Sequence, residues 1–351
     1  MGRLIVKALE SNGHDVRIAS TFRSWRKDSA DDIQMDVRSE ALEEAGRVAH
    51  AWETAGYRPD IFLTYHLYHK APDWIGPALS DRFDLPYAIV EASRAPKRQT
   101  GNWAFGFAAA DQALMRADAV AAIHNADLGC LKPVVSPERL QVLLPFLDAI
   151  PFQATAESTR PPASTPLRLL AVGMMRDGDK QRSFEVLAEA LEKLTSLPWH
   201  LTLIGDGPAK DHILGLFPTG RTTWLGALPP DQLPGQYAAH DLLVWPAIRE
   251  AFGLALLEAQ ASGTGVIAGA TFGVPDIVRD GETGLLSPEG DAVAFAANLK
   301  RVIEDPVLAD RLGTAARIHI SDNHTLAAGA DRLEALMQRA LQNHAQGTSD
   351  R

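Results

Sequence analysis

Apolar runs of strand length alternate with amphipathic helical stretches along this chain, and the alternation breaks once, at a segment rich in Ala, Ser, Thr and Pro. Such alternation is the pattern of a parallel sheet covered by helices, and a break in it marks a linker between two such sheets. Before the break, a helical stretch over residues 4–11 turns at Asn12-Gly13 into an expected strand at 15–19. Further strands are expected at 61–65, 87–90, 119–123 and 140–144, with helices around 38–55, 73–82 and 102–116. Residues 153–166, centred on Pro161-Pro162, carry no periodic apolar face and read as the linker. Strands then resume at 167–172, 199–204, 223–225, 242–245 and 265–268. Between the first two, Phe184, Leu187, Ala188, Leu191 and Leu194 keep helical spacing. A final helix at 326–341 carries Leu333, Leu336, Met337, Ala340 and Leu341 on one stripe, suited to packing on a domain surface. The expected class is α/β, with two doubly wound, Rossmann-like domains: 1–152, a linker at 153–166, 167–320, and a C-terminal helix and tail at 321–351.

The opening of the chain departs from that pattern. A doubly wound sheet starts with a strand that ends up central, and its following loop commonly faces the ligand, whereas this sequence opens inside a helical stretch. The expectation is that the first strand of the N-terminal domain and a glycine-containing loop lie upstream of the assigned Met1. An upstream sequence with no open frame for an apolar strand would refute it.

A length of 351 residues with 46% hydrophobic content is enough for two cores. The formal net charge of −10 argues against a general nucleic-acid or membrane-surface binder, so any anion must be held by local groups. The single cysteine, Cys130, excludes an internal disulfide, fits a reducing compartment and reads as a structural thiol. No apolar run has the length to span a bilayer and the N-terminus lacks a signal-peptide layout. The expected location is the cytoplasm, with membrane contact at most peripheral.

Several segments of the second half carry the chemistry, and most follow strands, where open parallel sheets bind ligands. The stretch from Ala171 to Lys180 runs off a strand through Gly173 into a loop with two cations, Arg176 and Lys180. A planar guanidinium fork and a point charge four residues apart suit a diphosphate, although an ordinary solvated loop has the same composition. The stretch from Leu201 to Pro208 ends a buried strand in the turn Gly205-Asp206-Gly207-Pro208. In Arg249-Glu250-Ala251-Phe252-Gly253-Leu254-Ala255-Leu256-Leu257-Glu258-Ala259, one glutamate precedes an apolar helix and another lies two turns inside it. A carboxylate on a segment built for burial needs a polar partner. The Gly253 turn exposes helix-start amides that make a ready anion site. The later stretch from Ala268 to Asp276 brings backbone close to a ligand beside an acid, and that from Asp280 to Leu286 reads as a plain turn.

Taken in order, these segments resemble the family 4 glycosyltransferases, retaining enzymes of the GT-B fold that use nucleotide-diphosphate sugars. The resemblance covers residues 167–291 by motif and the first half by layout. It implies two domains facing a central cleft and transfer of a hexosyl-type sugar, with retention, to a hydroxyl on a glycan, lipid or small molecule. It implies that Arg176 and Lys180 hold the donor diphosphate, that Glu250 contacts the donor sugar, and that Glu258 accepts from the ribose hydroxyls. The amides of Phe252, Gly253 and Leu254 would meet the distal phosphate, with Gly173 and Gly205 also lining the donor. No cofactor is implied, and without an Asp-x-Asp cluster at a strand end the transfer is expected to be metal-independent.

The sequence also departs from that family. Pro246-Ala247 stands where the family often has Pro-Ser, Gly263-Thr264-Gly265-Val266 where it has Gly-x-Pro-Val, and Phe272-Gly273-Val274-Pro275-Asp276 where it has Gly-Gly-x-x-Glu. In the first half, Glu91 occupies the strand end where the family commonly places a histidine. His66 and His69 follow another strand at a spacing that suits one helix face; they are expected on the acceptor side with Glu91, as hydrogen-bonding groups and not as metal ligands. Arg94, Lys97 and Arg98 form a small basic cluster near Trp103, read as a solvated loop that could also hold an anionic acceptor. Two other functions fit the same residues: a nucleotide-sugar epimerase on this fold, separable by product analysis on donor alone, and an inactive nucleotide-sugar-binding module or fragment, separable by binding without turnover.

Overall fold

The computed structural model describes residues 1–159 and 165–349, and the strands in them form two sheets, one of four strands and one of six, each parallel throughout. The chain divides into two compact units, one of residues 1–144 with 329–351, the other of residues 145–328.

In the first unit β1 (Phe62–Leu67), β2 (Tyr87–Ala92), β3 (Ala119–Ala122) and β4 (Leu140–Val142) lie in sequence order. The interior strands β2 and β3 are apolar and buried on both faces, as parallel strands between helical layers must be. β1 is an edge strand whose Tyr65 is 41% exposed. The helix Asp31–Ala55 packs its Ala41, Ala45, Val48 and Ala49 stripe near Ile75 and Leu79 of the helix Ile75–Phe83, and ends at Gly56 in the left-handed conformation (φ 58°). Residues 15–19, expected as a strand, are irregular, and Ile18 is 64% exposed. Their apolar–polar alternation meets no neighbouring strand among the described residues, and alternation without a ladder does not make a strand.

The second unit holds β5 (Leu167–Val172), β6 (Trp199–Ile204), β7 (Thr222–Trp224), β8 (Leu242–Trp245), β9 (Gly265–Ala270) and β10 (Gly284–Pro288), in the spatial order β10-β9-β8-β5-β6-β7. β5 is central: the chain winds outward through β6 and β7, returns to β8 on the other side of β5, and winds outward again. The order reverses between β5 and β8, and at such a switch point the loops leaving the two strands diverge and open a crevice at their carboxyl ends. The core is built from β5, β6, β8 and β9 with the helices Asp179–Glu192, Ala292–Glu304 and Pro306–Asn323. Asp291 caps the helix Ala292–Glu304 by accepting from the amides of Val293 and Ala294.

Three expectations change. The helix Ile150–Thr159 occupies the start of the stretch read as linker and packs on the helix Leu233–Ala239, with the Phe152 and Tyr237 rings 5.9 Å apart. Its composition hid it: the contact is made by one aromatic ring and small residues, not by a leucine stripe. Pro161-Pro162 lies outside the described residues. The segment read as a plain turn at 280–286 leads directly into β10. The last helix, Leu326–Ser349, starts in the second unit and belongs to the first from Gly329 on. There Asn343 donates to the Asp118 carbonyl at 2.8 Å and Arg339 to that of Glu138 at 3.1 Å.

Candidate active site

The switch point of the second sheet gathers the residues singled out in its sequence. β5 ends at Val172, and Gly173 follows; a Cβ there would lie 2.9 Å from the Trp245 ring, which closes the end of β8. Gly205, at the end of β6, has φ +141° and faces the Gly173 carbonyl so closely that a Cβ would sit 1.9 Å from it. Both glycines are therefore demanded by packing between strand ends, whatever ligand also approaches them. Gly207 is similarly tight: Met175 donates its amide to the Asp206 carbonyl at 3.0 Å and accepts from the Ala209 amide at 2.9 Å, tying the loops after β5 and β6 together.

Lys180 lies in the first turn of the helix Asp179–Glu192. Its ammonium donates to Oε2 of Glu250, and the same oxygen accepts from Trp245 Nε1 at 3.1 Å. The Lys180 and Glu250 side chains retain only 19% and 15% exposure, and Lys180 Nζ lies 5.2 Å from the Trp245 ring centre. The pair thus forms one polar unit at the β5/β8 crevice, fixed by an indole that is itself packed edge-on against Phe184 at 5.0 Å. Arg176, four residues before Lys180, has an exposed side chain and makes no ion pair among the described residues.

The loop after β8 is held on three sides. The Ile248 amide donates to Ser183 Oγ at 3.0 Å, the Arg249 amide to Glu289 Oε1 at 2.8 Å, and Gly273 donates to the Ala251 carbonyl at 2.8 Å. Ala247 and Arg249 have φ of 56° and 46°, conformations that cost energy in non-glycine residues and persist only when neighbours enforce them. Gly253 (φ +71°) then starts the helix Leu254–Ala261 with no side-chain cap. The helix-start amides beside Phe252 and Leu254 are left for an outside acceptor or water.

Glu258 lies two turns into that helix. Its Oε2 accepts from the hydroxyl of Tyr237 at 2.7 Å, the polar answer that its apolar surroundings require. Burial pushes the Glu258 carboxyl up to about 7, only partly opposed by the Tyr237 bond, and burial with the Glu258 charge pushes the Tyr237 hydroxyl well above its ordinary value. Tyr237 and Trp245 carried no role in the sequence reading. An aromatic residue with one polar atom, at the end of a buried strand or in a short apolar helix, was the available signal.

His66, His69 and Glu91 lie in the first unit. The expectation that His66 and His69 share a helix face is wrong: His66 is in β1 and His69 in the turn that follows. His66 and Glu91 come together across the register of β1 and β2, His66 Nδ1 lying 3.1 Å from Glu91 Oε1. His69 turns instead toward Tyr68 and Trp103, with ring centres 5.3 and 5.8 Å away. Burial, with the charges of Arg98, Lys70 and Lys97, lowers the His69 imidazole to about 4. Arg94, grouped with Lys97 and Arg98 in the sequence, is engaged with Asp111 through two contacts of 2.8 Å. Among the described residues no group of three His, Cys, Asp or Glu side chains could hold a metal ion, and no helix is long and apolar enough to cross a membrane.

Residues 163–319 match the family model for glycosyl transferases group 1. The chain is similar to a D-inositol 3-phosphate glycosyltransferase of Corynebacterium diphtheriae, 40% identical over 116 residues, which are 33% of this chain and 27% of that protein. It is also similar to sulfoquinovosyl transferase SQD2 of Arabidopsis thaliana, 34% identical over 140 residues, 39% of this chain and 27% of that protein. These alignments span about a quarter of the length of the curated relatives. Among solved structures, sucrose-phosphate synthase from Thermosynechococcus elongatus superposes with a TM-score of 0.74 at 21% identity, covering 96% of this chain and 92% of that one. The HepE protein of Anabaena, solved in complex with UDP and glucose, gives 0.66 at 18% identity over 84% of this chain and 81% of its own. These likenesses place the two parallel-sheet units in the GT-B fold. Residues 163–319 thus carry the likeness to the glycosyl transferases group 1 family.

Proposed function

We propose that this protein transfers a sugar from a nucleotide-diphosphate sugar to a hydroxyl acceptor, with retention at the anomeric carbon and without a metal ion. The observation that carries this reading is the junction of Lys180 with Glu250 and Trp245 at the β5/β8 switch point, beside the uncapped start of the helix Leu254–Ala261. A diphosphate seated there meets the Lys180 ammonium, the exposed Arg176 guanidinium and the free helix-start amides. Preorganised donors of this kind stabilise charge that develops on a leaving group.

In this reading Glu250, already held by Lys180 and Trp245, accepts from the hydroxyls of the donor sugar. Its second oxygen remains for that purpose while the first is occupied. Glu258 accepts from the ribose hydroxyls, and as an ionised acceptor it does so best above pH 7, where its raised carboxyl has lost its proton. The acceptor hydroxyl loses its proton as its oxygen bonds to the anomeric carbon. The anomeric carbon–oxygen bond breaks toward the diphosphate, and a diphosphate oxygen takes the proton.

The deciding experiment is a thermal-shift and product assay with a panel of nucleotide sugars on the chain and on Arg176→Ala. A donor stabilises the folded state by mass action. The reading expects one donor to raise the melting temperature, Arg176→Ala to weaken that shift, and a glycosylated product of unchanged anomeric configuration to form. It is refuted if no nucleotide sugar shifts the melting, if Arg176→Ala leaves the shift intact, or if the donor is isomerised in the absence of any acceptor.

A further inference from the structure

The loops that leave the adjacent strands β8 and β9 hold three non-glycine residues in left-handed backbone: Ala247 and Arg249 after β8, and Phe272 after β9, with φ of 56°, 46° and 38°. For a bulky aromatic residue that conformation is an outlier, and a glycine takes it at far less cost. Packing does not repay the cost at Phe272. Its side of the loop leaves it 49% exposed, whereas Phe252, in the neighbouring loop, packs on the core of the unit. Strain of this kind gathers where a residue serves a ligand.

Hydrogen bonds fix the Phe272 backbone beside Glu250. The Gly273 amide donates to the Ala251 carbonyl at 2.8 Å, so Phe272-Gly273 runs alongside Glu250-Ala251. The Val274 amide closes the turn on the Thr271 carbonyl at 2.9 Å. Beneath the turn the strand ends are in close contact, since a Cβ on Gly269 would lie 1.9 Å from the Pro246 carbonyl. The Glu250 side chain lies over the next helix start, its Cγ 3.3 Å from where a Cβ on Gly253 would sit. Phe272 therefore shares one rim of strand ends with the Lys180–Glu250 pair and the helix-start amides. Those groups answer charge and hydroxyls, but a pyranose also carries apolar C–H faces. Met174 after β5, Leu254 at the helix start and Phe272 are the large apolar side chains exposed on these loops, at 55%, 38% and 49%. Of the three, Phe272 alone has a flat aromatic face, and it alone is held in a left-handed backbone.

We propose that the Phe272 ring is the sugar-stacking surface of the donor site. The C–H face of the donor pyranose lies on the ring while its hydroxyls donate to Glu250 and its diphosphate meets Lys180, Arg176 and the helix-start amides. An aromatic face carries partial negative charge and attracts the positive ends of C–H bonds, so the contact favours a pyranose with no axial hydroxyl pointed at the ring. The inference rests on the glycosyl-transfer reading above and deepens it: it assigns the group that recognises the sugar apart from the nucleotide.

The test is titration calorimetry on the full chain, Phe272→Gly and Phe272→Leu, with UDP, UDP-glucose, GDP and GDP-mannose as probes. Glycine accepts the left-handed backbone, so that variant keeps the turn, and leucine keeps apolar bulk without the ring face. The parent should bind one free nucleotide and its sugar conjugate. Phe272→Gly should bind the free nucleotide as the parent does and the conjugate about three- to tenfold more weakly. Phe272→Leu should fall between the two. Three results each overturn the inference while leaving the transferase reading in place: a conjugate bound equally well by Phe272→Gly and the parent, an equal loss for nucleotide and conjugate, or a leucine variant that matches the parent. Binding of none of the four probes by the parent refutes the donor reading itself, and this inference with it.

Discussion

The hydroxyl of Tyr237 donates to Oε2 of Glu258 at 2.7 Å, joining the helix Leu233–Ala239 to the helix that follows the β8 loop. The bond satisfies the carboxyl without neutralising it, so burial still raises the group from the ordinary 4.5 to about 7. For an acid whose folded value is raised, the stabilising contribution is complete below the unfolded value and is lost as pH rises through the folded one. Stability should therefore decline between about pH 4.5 and pH 7 by on the order of 2 kcal/mol from this group, less than the full shift implies because water reaches part of the side chain. Urea unfolding across that window checks it. Glu258→Gln should remove this part of the slope, and an unchanged slope in the variant would show that the carboxyl titrates normally.

Lys180 and Glu250 are 70 positions apart in the chain and meet as a pair with Trp245. Removing one member of a largely buried pair strands the other, whereas removing both charges together is far milder. Lys180→Met should cost about 2–3 kcal/mol, since Glu250 keeps only its Trp245 bond. The double variant Lys180→Met, Glu250→Gln should recover part of that loss, with a coupling on the order of 1–2 kcal/mol. Additive losses in the cycle would mean that the two side chains do not sense each other.

Two glycines of the second unit should respond in opposite ways to alanine. Gly205, at φ +141° against the Gly173 carbonyl, has neither the conformation nor the space for a Cβ. Gly205→Ala should lose about 2 kcal/mol or more and disturb nucleotide-sugar binding, because the loops after β5 and β6 must shift. Gly215, the last residue of the helix Lys210–Gly215, has nothing within 4 Å of where an alanine methyl would sit and no left-handed backbone. Gly215→Ala should leave stability unchanged or raise it by about 0.5 kcal/mol. Thermal unfolding of the two variants in parallel decides the matter, and equal effects would contradict the packing at the strand ends.

What the sequence made legible follows from what each element buries. β5, β6 and β8 fall on the residues expected for them, because strands covered on both faces are largely apolar runs, interrupted here only by Arg168 in β5 and by His200 and Thr202 in β6. Residues 15–19 show the opposite case: their alternation is real but Ile18 faces solvent, and no local pattern states whether a neighbouring strand exists. β10 was hidden behind the turn residues of Asp280-Gly281-Glu282-Thr283, and the helix Ile150–Thr159 by its lack of a leucine stripe. At the site, the segments carrying Arg176, Lys180, Glu250 and Glu258 could be picked out by charge beside strand ends. Their partners could not, because the bonds from Tyr237 to Glu258 and from Trp245 to Glu250 are tertiary contacts of aromatic residues whose sequence signature is that of ordinary core.

His69 gives a prediction of opposite sign to that of Glu258. Burial first, and then the charges of Arg98, Lys70 and Lys97, hold its imidazole down at about 4 against an ordinary 6.5. The folded chain thus refuses a proton that the unfolded chain accepts. A base depressed in this way contributes fully above the unfolded value, and its contribution is lost as pH falls from about 6.5 through 4. Comparing urea midpoints at pH 7, 5.5 and 4.5 for the chain and for His69→Gln isolates this residue from the other histidines. The variant should lose less stability on acidification than the parent. Arg98→Ala should restore only a minor part of the normal titration, since burial is the larger cause. If His69→Gln and the parent acidify in parallel, His69 is protonated as readily in the folded chain as in the unfolded one, and the packing of its ring against Tyr68 and Trp103 carries no electrostatic consequence.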